Sequence, residues 1–167
     1  MSLHTLIFAA SLTLGLICAA NARGIVVHSP EVNTTALPRL THHDEERNPY
    51  RGNDAAITIG RTAFNQTCAQ CHGTDADAHA SPAPDLRRVG RACARVSEPE
   101  LKARCTSDAD YYFRKSAEEG KVKVGIVHMP PWKDVLSLEL IWAIRSFVES
   151  PLAAQTGRDP DSPELAH

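Results

Sequence analysis

One pentapeptide limits what this chain can fold around: Cys68-Ala69-Gln70-Cys71-His72. Two thiols three positions apart, followed at once by an imidazole, are what covalent attachment of a porphyrin requires. Each thiol adds across one vinyl group, the two-residue spacer sets the sulfurs at vinyl separation, and His72 reaches the iron from the same side. Two other readings compete. A C-x-x-C pair also serves as a redox dithiol, or as half of a zinc site. The first expects a βαβ context, which the sequence lacks, and no second C-x-x-C completes a zinc set. The remainder of the chain is therefore expected to wrap a single haem c.

Composition agrees. At 167 residues the chain suits one domain with tails, and its 43% hydrophobic content supports a packed core. A formal charge of −2 leaves no footprint for nucleic acid. Residues 1–22 read as a signal peptide: Thr5 to Ala20 is mostly apolar, and Ala20-Asn21-Ala22 fits the small-x-small cleavage rule. The Met1-Ser2-Leu3-His4 lead lacks Lys and Arg, so an uncleaved anchor is the alternative, although the run is short and alanine-rich for a stable span. Export to an oxidising periplasmic space gives the five cysteines their meaning.

Residues 23–53 show no sustained period and carry Pro30, Pro38 and Pro49, which predicts an extended arm. His42-His43 within it reads as a solvated loop rather than a metal site, since sequence neighbours rarely converge on one ion. The domain is expected over 54–150. Asn53 or Asp54 caps a first helix whose Ala56, Ile59, Gly60, Ala63, Phe64 and Thr67 share one face. Gly60 on that face predicts close approach of another helix, with Phe147 as the partner. After His72 a loop runs to Pro84, whose carbonyl is placed to accept the His72 Nδ1–H, with Leu86 packing on the haem. Ser97-Glu98-Pro99-Glu100 predicts a short helix to Cys105, and Ser107-Asp108 a second one to Glu119, closed by Gly120. Gly125 to Trp132 reads as a loop, Ser137 caps a last helix to Ser150, and 151–167 reads as a disordered tail.

The sixth iron ligand has three candidates. Met129 is the methionine left once Met1 departs with the signal, and a thioether favours Fe(II) over a second imidazole. His128 competes, and an open site would suit a haem enzyme or ligand sensor of the peroxidase kind. No distal acid–base pair accompanies the open-site reading. Among the arginines after Pro84, Arg87, Arg88 and Arg91 could bond a propionate, Arg91 being the one singled out, and the Trp132 indole could do the same or cover the haem.

The C-x-x-C-H motif after a Gly60-x-x-x-Phe64 helix, then Pro84-Asp85-Leu86, then Gly125-x-x-x-Met129-Pro130, then an amphipathic C-terminal helix, resembles a class I cytochrome c. Asn48 to Asn53, Phe64-Asn65-Gln66, Tyr112-Phe113, Met129 to Trp132 and Ile141 to Ile144 narrow the resemblance. They look like the periplasmic cytochromes c that accept electrons from quinoprotein (PQQ-dependent) alcohol dehydrogenases. The resemblance covers about Pro49 to Ser150. It implies an all-α fold with crossing N- and C-terminal helices, His72 and Met129 as axial ligands, and an electron carrier rather than an enzyme. The donor it implies is the dehydrogenase, and the acceptor a downstream cytochrome or terminal oxidase; a relay subunit of a larger oxidase complex is the rival. Cys93 and Cys105, the thiols left after haem attachment and signal removal, are expected to form a disulfide, with two free thiols as the alternative. Tyr50 and Arg51 in the arm are residue types favoured at interface hot spots, yet the arm serves equally as a strap with Tyr50 packed inward.

Overall fold

The computed structural model describes residues 25, 27–41 and 46–154; the expected signal peptide, the His42-His43 pair and most of the expected tail lie outside the described residues. Two helices carry the architecture. Helix α1, Asp54–Thr67, starts where the Asn53 side chain accepts the Ala56 N–H at 2.9 Å. It buries Ala56, Gly60, Ala63, Phe64 and Thr67 against helix α4, Leu138–Val148, which Ser137 caps through the Leu140 N–H. Between them in sequence come a short α2, Ala69–His72, and α3, Pro99–Glu119; α5, Pro151–Ala154, follows α4.

Gly60 makes the crossing possible. A Cβ there would lie 1.9 Å from the Ala143 carbonyl oxygen. The partner at the contact is thus the α4 backbone at Ala143–Ile144, not the Phe147 ring. Phe147 instead packs on Phe64, with ring centroids 5.4 Å apart and a tilt of 59°. Gly60→Ala forces two backbones apart. Its overpacking cost exceeds the helix-propensity gain and leaves a net loss of about 2 kcal/mol, to be read from the urea midpoint.

The expected pair of helices over 97–119 is one helix. No Gly or Pro falls inside Pro99–Glu119 to break it, and the Thr106 hydroxyl, rather than ending a turn, donates back to the Lys102 carbonyl at 2.8 Å. Its cap is Glu98, whose carboxylate accepts the Glu100 and Leu101 N–H groups, rather than Ser97. Gly120 closes it as expected, its N–H donating to the Ser116 carbonyl. Cys105 within this helix is joined to Cys93, with Cα atoms 5.6 Å apart, and ties the irregular segment before α3 to it. Closing a loop with a sequence separation of 12 stabilises by about 2–3 kcal/mol. Cys93→Ser with Cys105→Ser should lose that amount, and the unreduced, unfolded wild type should show no thiol reactivity at these positions.

The segment before Trp132 is a hairpin rather than a loop. Strands β1, Lys121–Lys123, and β2, Ile126–Met129, pair antiparallel with Val122 opposite Val127. A helix-dominated fold thus gains one small sheet. Its two-residue turn is Val124-Gly125, with φ of 50° and 76°. Such turns favour Asn-Gly, and a valine in the left-handed region costs roughly 1–2 kcal/mol.

The arm is a strap. Tyr50 is 2% exposed, packs with Leu37, Ala56, Trp142 and Ala143, and donates its hydroxyl proton to the Pro38 carbonyl. Its inward packing removes it from any docking face. Beside it lies a buried polar cluster: Asp110, fully buried on α3, accepts from Arg145 Nε at 3.1 Å, Arg51 Nη2 at 2.7 Å and the Asn48 N–H at 3.0 Å. Arg145 also donates to the Val89 carbonyl at 3.1 Å. Arm, α3 and α4 meet at one carboxylate, and Arg145 ties the loop at Val89 to the same cluster. The chain beyond α4 remains ordered through α5, where Ala153 is fully buried, so the start of the expected tail belongs to the core.

Candidate functional site

Helix α1 delivers the cysteine motif. The Cys68 N–H still donates to the Phe64 carbonyl at 2.8 Å, and α2 then places Cys71 and His72 one turn further on. Both thiols are free. Burial pushes the Cys68 thiol up to about 11, against the pull of the Thr67 hydroxyl beside it. Among the described residues no group of three or more His, Cys, Asp or Glu is placed to hold a metal ion.

His72 is buried, and its Nδ1 lies 2.9 Å from the Pro84 carbonyl oxygen. A carbonyl only accepts, so Nδ1 carries the proton and the lone pair sits on Nε2. Burial lowers the imidazole pKa, while the Pro84 bond and the Asp85 charge pull the other way. The neutral, ligating form is favoured. Pro84 therefore acts through its backbone, as expected.

The exit from the motif is built from residues that sequence reasoning passed over. Gly73 has φ 79°, and a Cβ on it would lie 1.8 Å from the Asp77 carbonyl oxygen. Asp75 and Ala76 follow with φ of 56° and 63°. Asp75 is held from α1 by Arg61, at 2.8 and 2.6 Å, and by Asn65 Nδ2 at 2.6 Å. Its own N–H donates to Asn65 Oδ1 at 2.8 Å. The Arg61 bond leads in drawing the Asp75 carboxyl down to about 2. A depressed carboxyl pKa stabilises the fold above the unfolded-state value, and that contribution is lost as pH falls through the folded one. Carboxyl titration by NMR should find Asp75 with a midpoint near 2, and Arg61→Gln should return it toward 3.8. The Ser81 hydroxyl, donating to the Cys71 carbonyl, closes this loop. Nothing in the order Arg61, Asn65, Asp75 announces a cluster, because the contact depends on a left-handed turn.

The facing wall comes from the second half of the chain. Leu86, Met129 and Val135 border the same apolar cluster as Cys68 and Ala69, and Trp132 lies inside it. Met129 ends β2, half-buried, while His128 before it is exposed. Gly120 lies tight beneath this strand end: a Cβ there would sit 2.4 Å from the Met129 carbonyl oxygen. The Trp132 N–H donates to the Ala117 carbonyl at 2.9 Å, fixing the segment on α3. Of the arginines, Arg87 is buried and doubly bonded to Asp85 at 2.9 Å, which commits it to a structural pair. Arg88 is exposed and Arg91 half-buried.

Two free thiols, a neutral imidazole with its lone pair on Nε2, and the Met129 thioether packed on the same apolar cluster as Cys68 fit a covalently held haem. The comparisons agree on the class. Residues 55–148 match the family described as "Cytochrome C oxidase, cbb3-type, subunit III". The chain belongs to the class I cytochrome c family: an electron-transfer protein carrying covalently bound haem c. Cytochrome c550 of Pseudomonas aeruginosa is 36% identical over 123 residues, which span 71% of this chain and 74% of that protein. No solved structure matches.

Proposed function

We propose that this cytochrome is an exported, periplasmic one-electron carrier between a quinoprotein (PQQ-dependent) alcohol dehydrogenase and a downstream cytochrome or terminal oxidase. Cys68 and Cys71 hold the haem, and His72 and Met129 are the axial ligands. Haem c, when bound, supplies a reversible Fe(II)/Fe(III) couple. The chain's own residues set the conditions for it. Pro84 orients the His72 ring and raises its basicity through the Nδ1 bond. Met129 offers a soft sulfur that favours the reduced state, and Leu86 and Trp132, packed in the same apolar cluster, would shield the haem from water. Arg91 and the Trp132 indole are the candidates for propionate contact.

The observation that carries the ligand assignment is the contrast at the end of β2. Met129 turns to the cluster that borders Cys68, and His128, next in line as a ligand, is exposed. Export is supported by the apolar run ending in Ala20-Asn21-Ala22; no helix among the described residues is long and apolar enough to cross a membrane. The donor rests on the resemblance of the motifs from Asn48 to Ile144. Stopped-flow mixing with an ethanol-reduced quinoprotein ethanol dehydrogenase tests it: haem reduction on the millisecond-to-second scale, slowing with salt, is expected. A dehydrogenase that leaves the haem oxidised rejects this donor. The description of the matching family favours a second reading, in which the domain relays electrons as a subunit of a larger oxidase. The mass of the native protein on gentle extraction separates the two.

A further inference from the structure

The β1–β2 hairpin presents its apolar side chains outward. Val124 is 100% exposed, Ile126 64%, Val122 63% and Val127 56%. Val124 also holds φ 50°, a conformation that β-branched residues avoid. Asparagine would suit the turn and the solvent better on both counts. The hairpin turn thus presents, fully exposed, a side chain that local folding disfavours twice.

The formal charge within the hairpin has one sign. From Lys121 to Met129 the chain carries two lysines and no carboxylate, against a formal charge of −2 for the whole. Nearby on α3, Glu118 is engaged by Arg114 and Glu119 by Lys115. Lys121 Nζ lies over the Tyr112 ring at 4.7 Å, and Tyr112 and Tyr111 are both exposed, which extends the patch onto α3. The hairpin is anchored at its base, where Gly120 packs under Met129 and Pro130. Its second strand ends at Met129, the residue assigned above to the iron.

We propose that this hairpin is the docking element for a protein redox partner, with Val124 and its apolar neighbours entering an apolar socket rimmed by carboxylates. The inference rests on the electron-carrier reading and goes beyond it by naming the surface. An apolar centre inside a charged rim suits a contact that forms quickly and releases quickly, and the lysines select an acidic counterpart. A hairpin-to-hairpin contact with a second copy of this chain is disfavoured, because lysine would meet lysine. A lipid surface would suit the same side chains but would bring no redox centre to the end of β2.

Two redox proteins serve as probes: a quinoprotein ethanol dehydrogenase as donor and a detergent-solubilised cytochrome c-oxidising terminal oxidase as acceptor. Ascorbate serves as a reductant that needs no docking. Val124→Asn should raise the urea midpoint of the haem-loaded protein, yet slow second-order electron transfer with at least one probe by fivefold or more. Val122→Ser with Ile126→Ser should slow the same reaction, and Lys121→Gln with Lys123→Gln should flatten its salt dependence. Reduction by ascorbate and the reduction potential should be unchanged in all three. A dehydrogenase inert toward the wild type rejects the donor alone, and the oxidase then decides the hairpin. Unchanged rates with both probes overturn the inference, as does a wild type that exchanges electrons with neither. Loss of binding to vesicles of phosphatidylcholine with phosphatidylglycerol, at unchanged protein rates, would assign the hairpin to membrane and overturn it too.

Discussion

Asp110→Ala is expected to destabilise the haem-loaded protein by about 4 kcal/mol. Asp110 is fully buried and Arg145, its partner at 3.1 Å, is 2% exposed, so truncation leaves a guanidinium in the interior without its main counter-charge. Breaking one side of such a pair costs about 3–5 kcal/mol. Glu149, 3.4 Å from Arg145 Nη2, offsets part of this, as does the Val89 carbonyl. Against that offset, the Asn48 N–H and Arg51 also lose their acceptor, adding about 1 kcal/mol. The arm should loosen with it, since Asn48 and Arg51 attach through the same carboxylate. Urea unfolding gives the loss, and amide exchange over Asn48 to Asn53 shows the loosening. Asp110→Ala combined with Arg145→Met should recover much of the stability, because the buried charge goes with its partner. A double variant as unstable as Asp110→Ala alone would mean that the cost lies in packing and not in charge.

Met129→Ala should have the largest effect on function. On the proposed ligation, removing the thioether leaves the iron one ligand short, opens it to carbon monoxide, and lowers the potential by something on the order of 0.2 V of the roughly 0.8 V that axial ligands command. Met129→His should restore six-coordination at a low potential, because imidazole favours Fe(III) relative to a thioether. Optical spectra and a redox titration measure both. If Met129→Ala keeps the native spectrum while His128→Ala loses it, the ligand assignment is wrong.

What was legible in the sequence followed from local rules. The Asn53 cap, the apolar face through Gly60 and Phe64, the Ser137 cap and the Gly120 stop each depend on a few neighbouring residues, and each stands in the structure. The His72–Pro84 bond was also legible, because prolines confine the loop after the motif. What was missed depends on tertiary contact. Ser107-Asp108 looks like a cap, but in one continuous helix Asp108 is exposed and Asp110 two residues on is buried on Arg145. Arg145 itself gave a signal that was passed over: a charge set among Ile144, Phe147 and Val148 on α4 calls for a buried counter-charge. Lys-Val-Lys-Val-Gly-Ile-Val alternates and turns at a glycine as a hairpin does, a pattern that the prolines after Met129 obscure. Tyr50, a favoured interface residue, is instead the pin of the strap, since its ring finds Trp142 and its hydroxyl the Pro38 carbonyl.

A haem held by Cys68 and Cys71 with both axial positions filled by the chain, as proposed, is suited to passing electrons and not to binding substrates. The most direct measurement is the optical spectrum of the purified protein in both oxidation states, with and without carbon monoxide. The expected result is a six-coordinate, low-spin haem c, with a sulfur-to-iron charge-transfer band when oxidised, and a reduced spectrum that carbon monoxide leaves unchanged. A reduced spectrum that carbon monoxide promptly shifts, with no charge-transfer band in the oxidised state, would contradict it and point to an open site.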